Sequence, residues 1–167
     1  MSLSVQTERP QNSAPFDPDA AAPEAARVQA LMVGIADEIF AIDAGLVREI
    51  IDPLPPTRVA GARPHLPSVV NVRGAIIPLA DLRVRFGLPP RAASPDTRIV
   101  VVELTIDGDP VCVGLTADKV HEVTEIRFSE ARPMPRVGLA IRPDFVRTLI
   151  KWNDQFVIVP DLEAILA

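Results

Sequence analysis

"VVNVRGAIIPLADLR", residues 69–83, decides the fold. Two apolar runs rich in β-branched residues flank a single Arg-Gly pair, and a Pro-Leu-Ala-Asp-Leu segment follows. Gly74 permits the positive φ of a tight hairpin turn. The runs therefore read as two antiparallel strands, with Arg73 projecting at the tip, away from their apolar side. Pro78 removes one backbone donor, which suits an edge or a strand end. "ADLRVRFGL" then forms a short helix with Leu82 and Phe86 on one face at i, i+4, ending at Gly87. The permanent charge of Arg73 has two readings. It is a solvated turn residue, or it is an interface anchor, because the planar five-donor guanidinium is over-used at hot spots.

The same order returns near the end of the chain. "FVRTLIKWNDQFVIVPDLEAIL", residues 145–166, again runs strand, polar turn, apolar strand, Pro, Asp-Leu, helix, with Asp161 as N-cap. Two copies of one supersecondary unit imply two similar β subdomains. The intervening segments agree. "VQALMVGI" and "EIFAID" are short strands, "TRIVVVELT" is the clearest strand, and Asp107-Gly108 marks a hairpin into "PVCVGLTA". "LVREII" is either one helical turn or a strand end, stopped by Pro53, Pro55 and Pro56. Residues 129–143 read as a Pro-containing loop. Short strands at close spacing favour barrels over a flat sheet.

Composition bounds the rest. The chain has 167 residues, enough for one domain with a sizeable core, and 48% are hydrophobic. Only 4% are aromatic, so Val, Ile, Leu and Ala must fill that core. Residues 1–27 hold few large apolar side chains and read as a disordered tail, with the folded domain spanning 28–167. The net charge of -5 argues against a nucleic-acid partner. The single cysteine, Cys112, excludes a disulfide within the chain and reads as a small buried hydrophobe. With no signal-peptide pattern and no apolar run near the ~20 residues of a membrane helix, a cytoplasmic location is expected.

No catalytic constellation assembles. His65 and His121 stand in unrelated contexts, with no Cys or His at metal-ligand spacing. "VGLTADK" lacks the glycines of a phosphate loop. Asp107, Asp109 and Asp118 flank turns and read as solvated. The expectation is a protein that is not an enzyme and takes no cofactor or metal.

Four segments carry a resemblance. "VVNVRGAIIPLADLRVRFGL" resembles the central signature of the CheW family; "IFAIDAGLVREII", "TRIVVVEL" with "PVCVGLTADKVHEVTEI", and "FVIVPDLEAIL" resemble its other segments in order, across residues 31–166. The resemblance implies a mainly β fold of two intertwined five-stranded SH3-like barrels with short helices and a groove between them. It also implies a non-enzymatic adaptor coupling chemoreceptors to the histidine kinase CheA. One surface would bind the kinase's regulatory domain, and another the signalling tip of a methyl-accepting chemoreceptor. The partner-binding residues carried over are Arg73, Asn71 and Gly74 from the signature, and Val47 and Glu49 from "LVREII". On a strand Val47 and Glu49 would point the same way; on a helix they would diverge. Core packing for Val47 and solvation for Glu49 are the plain alternatives.

The sequence departs from the family pattern at two equivalent points of the repeat. Ser68 and Thr148 stand where the family has glycine, and Ser68 joins the candidate contact residues. If that backbone needs positive φ, Ser costs about 1 kcal/mol or more. His65 takes the place of an aromatic, and Pro160 of a Leu or Val. Two other readings remain at this point. One is a divergent module in a non-motility kinase pathway; the other is a small β-barrel that binds a ligand.

Overall fold

A computed structural model describes residues 27–127, 131–132 and 141–167. The expected tail lies outside these residues except for its last position. Arg27 already belongs to the first strand and pairs with Arg127, so the described fold starts one residue earlier than the composition break implied.

Twelve strands are described. They are β1 (Arg27–Ile35), β2 (Glu38–Asp43), β3 (Val47–Ile51), β4 (Thr57–Arg58), β5 (Ser68–Val72), β6 (Ala75–Ala80), β7 (Arg98–Ile106), β8 (Asp109–Ala117), β9 (Lys119–Arg127), β10 (Ala131–Arg132), β11 (Val146–Trp152) and β12 (Gln155–Pro160). Two short helices, α1 (Leu82–Phe86) and α2 (Leu162–Leu166), close the two copies of the repeat. The strands form two six-stranded sheets, ordered β10-β11-β12-β2-β1-β9 and β4-β5-β6-β8-β7-β3. The expected count of five is therefore one short in each, and the extra member is a two-residue strand, β10 or β4. β10 also places strand structure inside the segment read as a loop.

The two orders are one pattern used twice. In each sheet a hairpin carrying the repeat joins a second hairpin through a parallel pair: Ile158 with Phe40 in the first, Leu79 with Gly114 and Ala80 with Leu115 in the second. The chain lends β1 and β2 to the first sheet, builds the whole second sheet, then returns to finish the first. That path is the intertwining.

Period-2 side-chain alternation explains why β1 and β7 read as continuous apolar runs. In β7, Val100, Val102 and Leu104 enter a core shared by both sheets, while Ile99 and Val101 enter a second cluster with Val70, Val72 and Ile77. In β1, Leu31, Val33 and Ile35 take the shared core, while Ala30 and Met32 join Ala41, Ile126, Ile150 and Val157. Side chains on one face of one sheet can form a core only if the sheet curls around them. Two contacts mark the curl. His121 of β9 packs edge-on against Trp152 of β11, with ring centroids 6.3 Å apart, although the two strands are far apart in the ladder. Glu49 of β3 likewise meets the β5–β6 turn. Each fully buried Val, Ile, Leu, Phe or Met is worth about 1.5–3 kcal/mol, so these three clusters dominate the stability.

Scarce aromatics stand where the sheets meet. Phe40 of β2 stacks on Phe86 of α1 at 5.3 Å, and Phe86 meets Phe145 at 6.2 Å. Asp161 caps α2 as read, accepting from the Ala164 N–H, and Gly87 ends α1 at φ 69°; Asp81 caps α1 in the same way, accepting from the Arg83 and Val84 N–H groups. Pro78 departs from its reading, because it lies inside β6, an interior strand. It is tolerated because the parallel ladder to β8 begins at Leu79, the next residue.

Asp118 is a second departure. It is half-buried rather than solvated, and it ties three segments together. Its Oδ2 accepts the Ala36 N–H of the β1–β2 turn at 2.7 Å, pairs with the Arg83 guanidinium of α1, and lies 3.5 Å from Arg91. Asp107 and Asp109 are exposed, as read.

Candidate functional site

The β5–β6 hairpin turns through two residues with left-handed backbone, Arg73 at φ 52° and Gly74 at φ 87°. Two positive φ values in succession are those of a type I′ turn, whose twist matches the flanking strands. The sequence accounts for Gly74. Arg73 is costlier there, since a side chain in this region is disfavoured by roughly 1–2 kcal/mol. Asn71 supports the turn from below: its Oδ1 accepts the Gly74 N–H at 2.8 Å. The equivalent turn in the other sheet, Asn153-Asp154, has the same left-handed pair, with φ 47° and 62°.

The guanidinium lies between two buried runs because it occupies the tip that neither run buries. Its side chain is 83% exposed, and it reaches Glu49 Oε2 of β3 at 3.1 Å, where Glu49 is 24% exposed. Curling of the second sheet thus joins two segments more than twenty residues apart in sequence. Asn71, Arg73, Gly74 and Glu49 form one charged surface at the open end of that sheet. Ile76, across the ladder from Asn71, is 63% exposed; Ile50, next to Glu49 in sequence but on the other face of β3, is 43% exposed. Sequence reasoning missed both. The signal for Ile76 was available, since alternation can bury only one of Ile76 and Ile77 on a single core face.

Val47 and Ser68 do not join this surface. "LVREII" is a strand, but a bulge interrupts it: Val47 pairs with Val102, and Glu49 with the adjacent Val101. The extra residue reverses the alternation. Val47 packs on the shared core, whereas Glu49 falls on the side of Val101, so the two do not share a face as an unbroken strand would require. Ser68 is buried at the other end of β5, opposite Leu79. Neither Ser68 nor Thr148 has positive φ, so the loss of glycine costs no backbone strain at either position.

Glu103 carries a second ion pair of the same sheet. Arg48 holds it in a fork, Nε to Oε2 at 3.0 Å and Nη2 to Oε1 at 2.8 Å. That guanidinium lowers the Glu103 pKa below the ordinary carboxylate value, and Glu103 raises that of Arg48. Cys112 is half-buried, its Sγ 3.8 Å from Glu103. Elsewhere a groove of about 480 Å³ runs between the β1–β2 turn, the 91–97 segment and the start of β9. Burial, then the neighbouring Asp37, pushes the pKa of Glu38 in its wall upward. Among the described residues no group of three or more His, Cys, Asp or Glu side chains is placed to hold a metal. Among the described residues no helix is long and apolar enough to cross a membrane.

These features define a class: an intertwined two-sheet β domain that carries a braced, charged hairpin tip flanked by the exposed Ile76. The CheW-like domain matches residues 29–167, and the chain belongs to that family. Similar curated proteins include a chemotaxis protein CheW of Helicobacter pylori, 32% identical and covering 79% of this chain and 77% of its own length. Another, from Klebsiella aerogenes, is 30% identical and covers 82% and 80%. A similar solved structure is the scaffolding protein TtCheW of Thermoanaerobacter tengcongensis. It has 31% identity and a TM-score of 0.72, covering 84% of this chain and 92% of that one. These likenesses favour the adaptor over a ligand-binding barrel.

Proposed function

We propose that this chain is a non-enzymatic, cytoplasmic coupling adaptor of bacterial chemotaxis, joining chemoreceptors to the histidine kinase CheA. Membership of the CheW-like family across residues 29–167 carries the reading. In finer terms, the kinase contributes its regulatory domain, and the methyl-accepting chemoreceptor contributes its signalling tip. The Arg73 hairpin is one of the two contact surfaces. Arg73 supplies a planar donor head, Glu49 orients it, and Asn71 and Gly74 fix the turn that presents it. Val47 and Ser68 act beneath the surface, by packing, rather than as contacts.

The support is physical. An exposed Arg held by a half-buried carboxylate is partly pre-ordered, which lowers the entropy lost on binding. Exposed Ile76 adds apolar area that a partner can cover. Calorimetric titration against a cognate CheA regulatory domain and a receptor signalling hairpin tests the reading, with wild type beside Arg73→Glu. Binding to both is expected, with the charge reversal weakening one of them at least tenfold, about 1.4 kcal/mol. Binding to neither partner would overturn the reading.

A further inference from the structure

The two copies of the repeat differ in one buried position. The N-cap amide of α1, Asp81, donates to the carbonyl of His65, and the N-cap amide of α2, Asp161, donates to the carbonyl of Phe145, both at 2.9 Å. His65 and Phe145 are therefore structural equivalents, an imidazole in one copy and a phenyl ring in the other. His65 is 6% exposed, and its Nε2 is buried with no hydrogen-bond partner among the described residues. The Arg85 Nε is in the same condition. Arg85 lies between the equivalent sites: its guanidinium covers the Phe145 ring at 4.9 Å, and its Nη2 is 3.4 Å from the Ala164 carbonyl oxygen and 3.4 Å from the backbone oxygen of Ala167.

We propose that His65 is a proton-operated latch: its neutral ring seals the junction of the 59–67 segment with α1 and α2, and protonation opens that junction. The charges that bear on the ring are cations, Arg85 from α1 and Arg63 from its own segment. Burial first, then Arg85, holds the imidazole below its ordinary pKa, against a backbone hydrogen bond at Leu166 of α2 that favours the charged form. The nearby carboxylates are engaged elsewhere. Asp81 accepts from the Arg83 and Val84 amides, Asp161 from the Ala164 amide with Arg147 at 3.8 Å, and Glu163 is exposed. A proton on His65 would thus set a second cation against Arg85, whose own head faces the Ala167 backbone oxygen at the last turn of α2. The unfolded chain takes up that proton at higher pH than the folded one. Stability supplied by the neutral ring is therefore present at neutral pH and lost as pH falls below the ordinary imidazole value.

The chain has only two histidines, so nuclear magnetic resonance can follow both rings, with exposed His121 as the internal comparison. His65 is expected to protonate below the ordinary value of about 6.5. In urea titrations between pH 7.5 and 5.5, the folded-to-unfolded ratio of wild type should fall faster than that of His65→Phe or His65→Gln. The excess should approach tenfold per pH unit where only the unfolded histidine is charged. Amide exchange at Asp81, Ile165 and Ala167 should accelerate on acidification in wild type relative to both variants. Parallel pH profiles in all three proteins, or a His65 ring that titrates at or above the ordinary value, would overturn the latch. Using two variants and a variant-free titration keeps a packing defect in His65→Phe from being mistaken for the proton effect.

Discussion

Replacing Arg73 by Asn separates the stability of the hairpin from its binding. Arg73 sits at φ 52°, a conformation that costs a side chain roughly 1–2 kcal/mol and that Asn tolerates well. An Asn-Gly pair is also the favoured sequence for this turn type. Against that gain stands the lost pair with Glu49. The guanidinium is 83% exposed, so the pair is worth at most about 1 kcal/mol. The balance predicts a protein more stable by roughly 0.5–1 kcal/mol, which raises Tm by about 1–4 °C at this chain length. Urea denaturation should show a higher midpoint at unchanged slope. Partner affinity should move the other way, falling at least tenfold for whichever partner the tip contacts. A variant less stable than wild type by more than about 1 kcal/mol would refute the reasoning, because the pair would then outweigh the backbone strain.

Three further outcomes follow from other parts of the structure. Asp118→Ala strands the Arg83 guanidinium, which is 12% exposed, and orphans the Ala36 amide; a loss of about 2–4 kcal/mol is expected in the same urea assay. Gly114→Ala puts a methyl 3.0 Å from Ile99 Cγ2 and 3.2 Å from Leu79 Cδ1, at the parallel joint of the second sheet. It should cost about 1–3 kcal/mol by overpacking, read as a lower thermal midpoint. Arg48→Ala removes the cation that holds the Glu103 pKa down, so a carboxyl titration followed by nuclear magnetic resonance should show that pKa rising toward its ordinary value. In wild type the depressed pKa makes the pair's contribution present above the unfolded carboxylate pKa and lost as pH falls through the folded one.

Much of the fold was legible because its signals are local. The Asp161 cap, the Gly87 stop, the i, i+4 pair in α1 and the turn pairs at 73–74, 107–108 and 153–154 each act within a few residues, and the repeat made two subdomains readable. What escaped depends on contacts between distant segments. The lending of β1 and β2 to a sheet completed by β9–β12 leaves no local mark. Neither does the Arg48 bulge that separates Val47 from Glu49, since a single extra residue looks like ordinary alternation until its partner strand is known. Asp118 read as a solvated turn residue because its partners, Ala36 and Arg83, lie more than thirty residues away. The candidate site divided the same way. Asn71, Arg73 and Gly74 were visible as one turn, and Glu49 was carried over separately, with the pairing between them supplied by the curl of the sheet. Ser68 entered as a candidate contact and Val47 as either a contact or a core residue; Ser68 is buried and Val47 packs on the shared core.

The central claim is coupling, which requires both partners at once. The most direct test immobilises receptor signalling hairpins and adds the kinase with and without this chain, measuring how much kinase is retained. Kinase should be retained only when the chain is present, and Arg73→Glu should lower retention at least tenfold. Retention that does not depend on the chain, or a kinase that displaces the chain from the receptor, would contradict it.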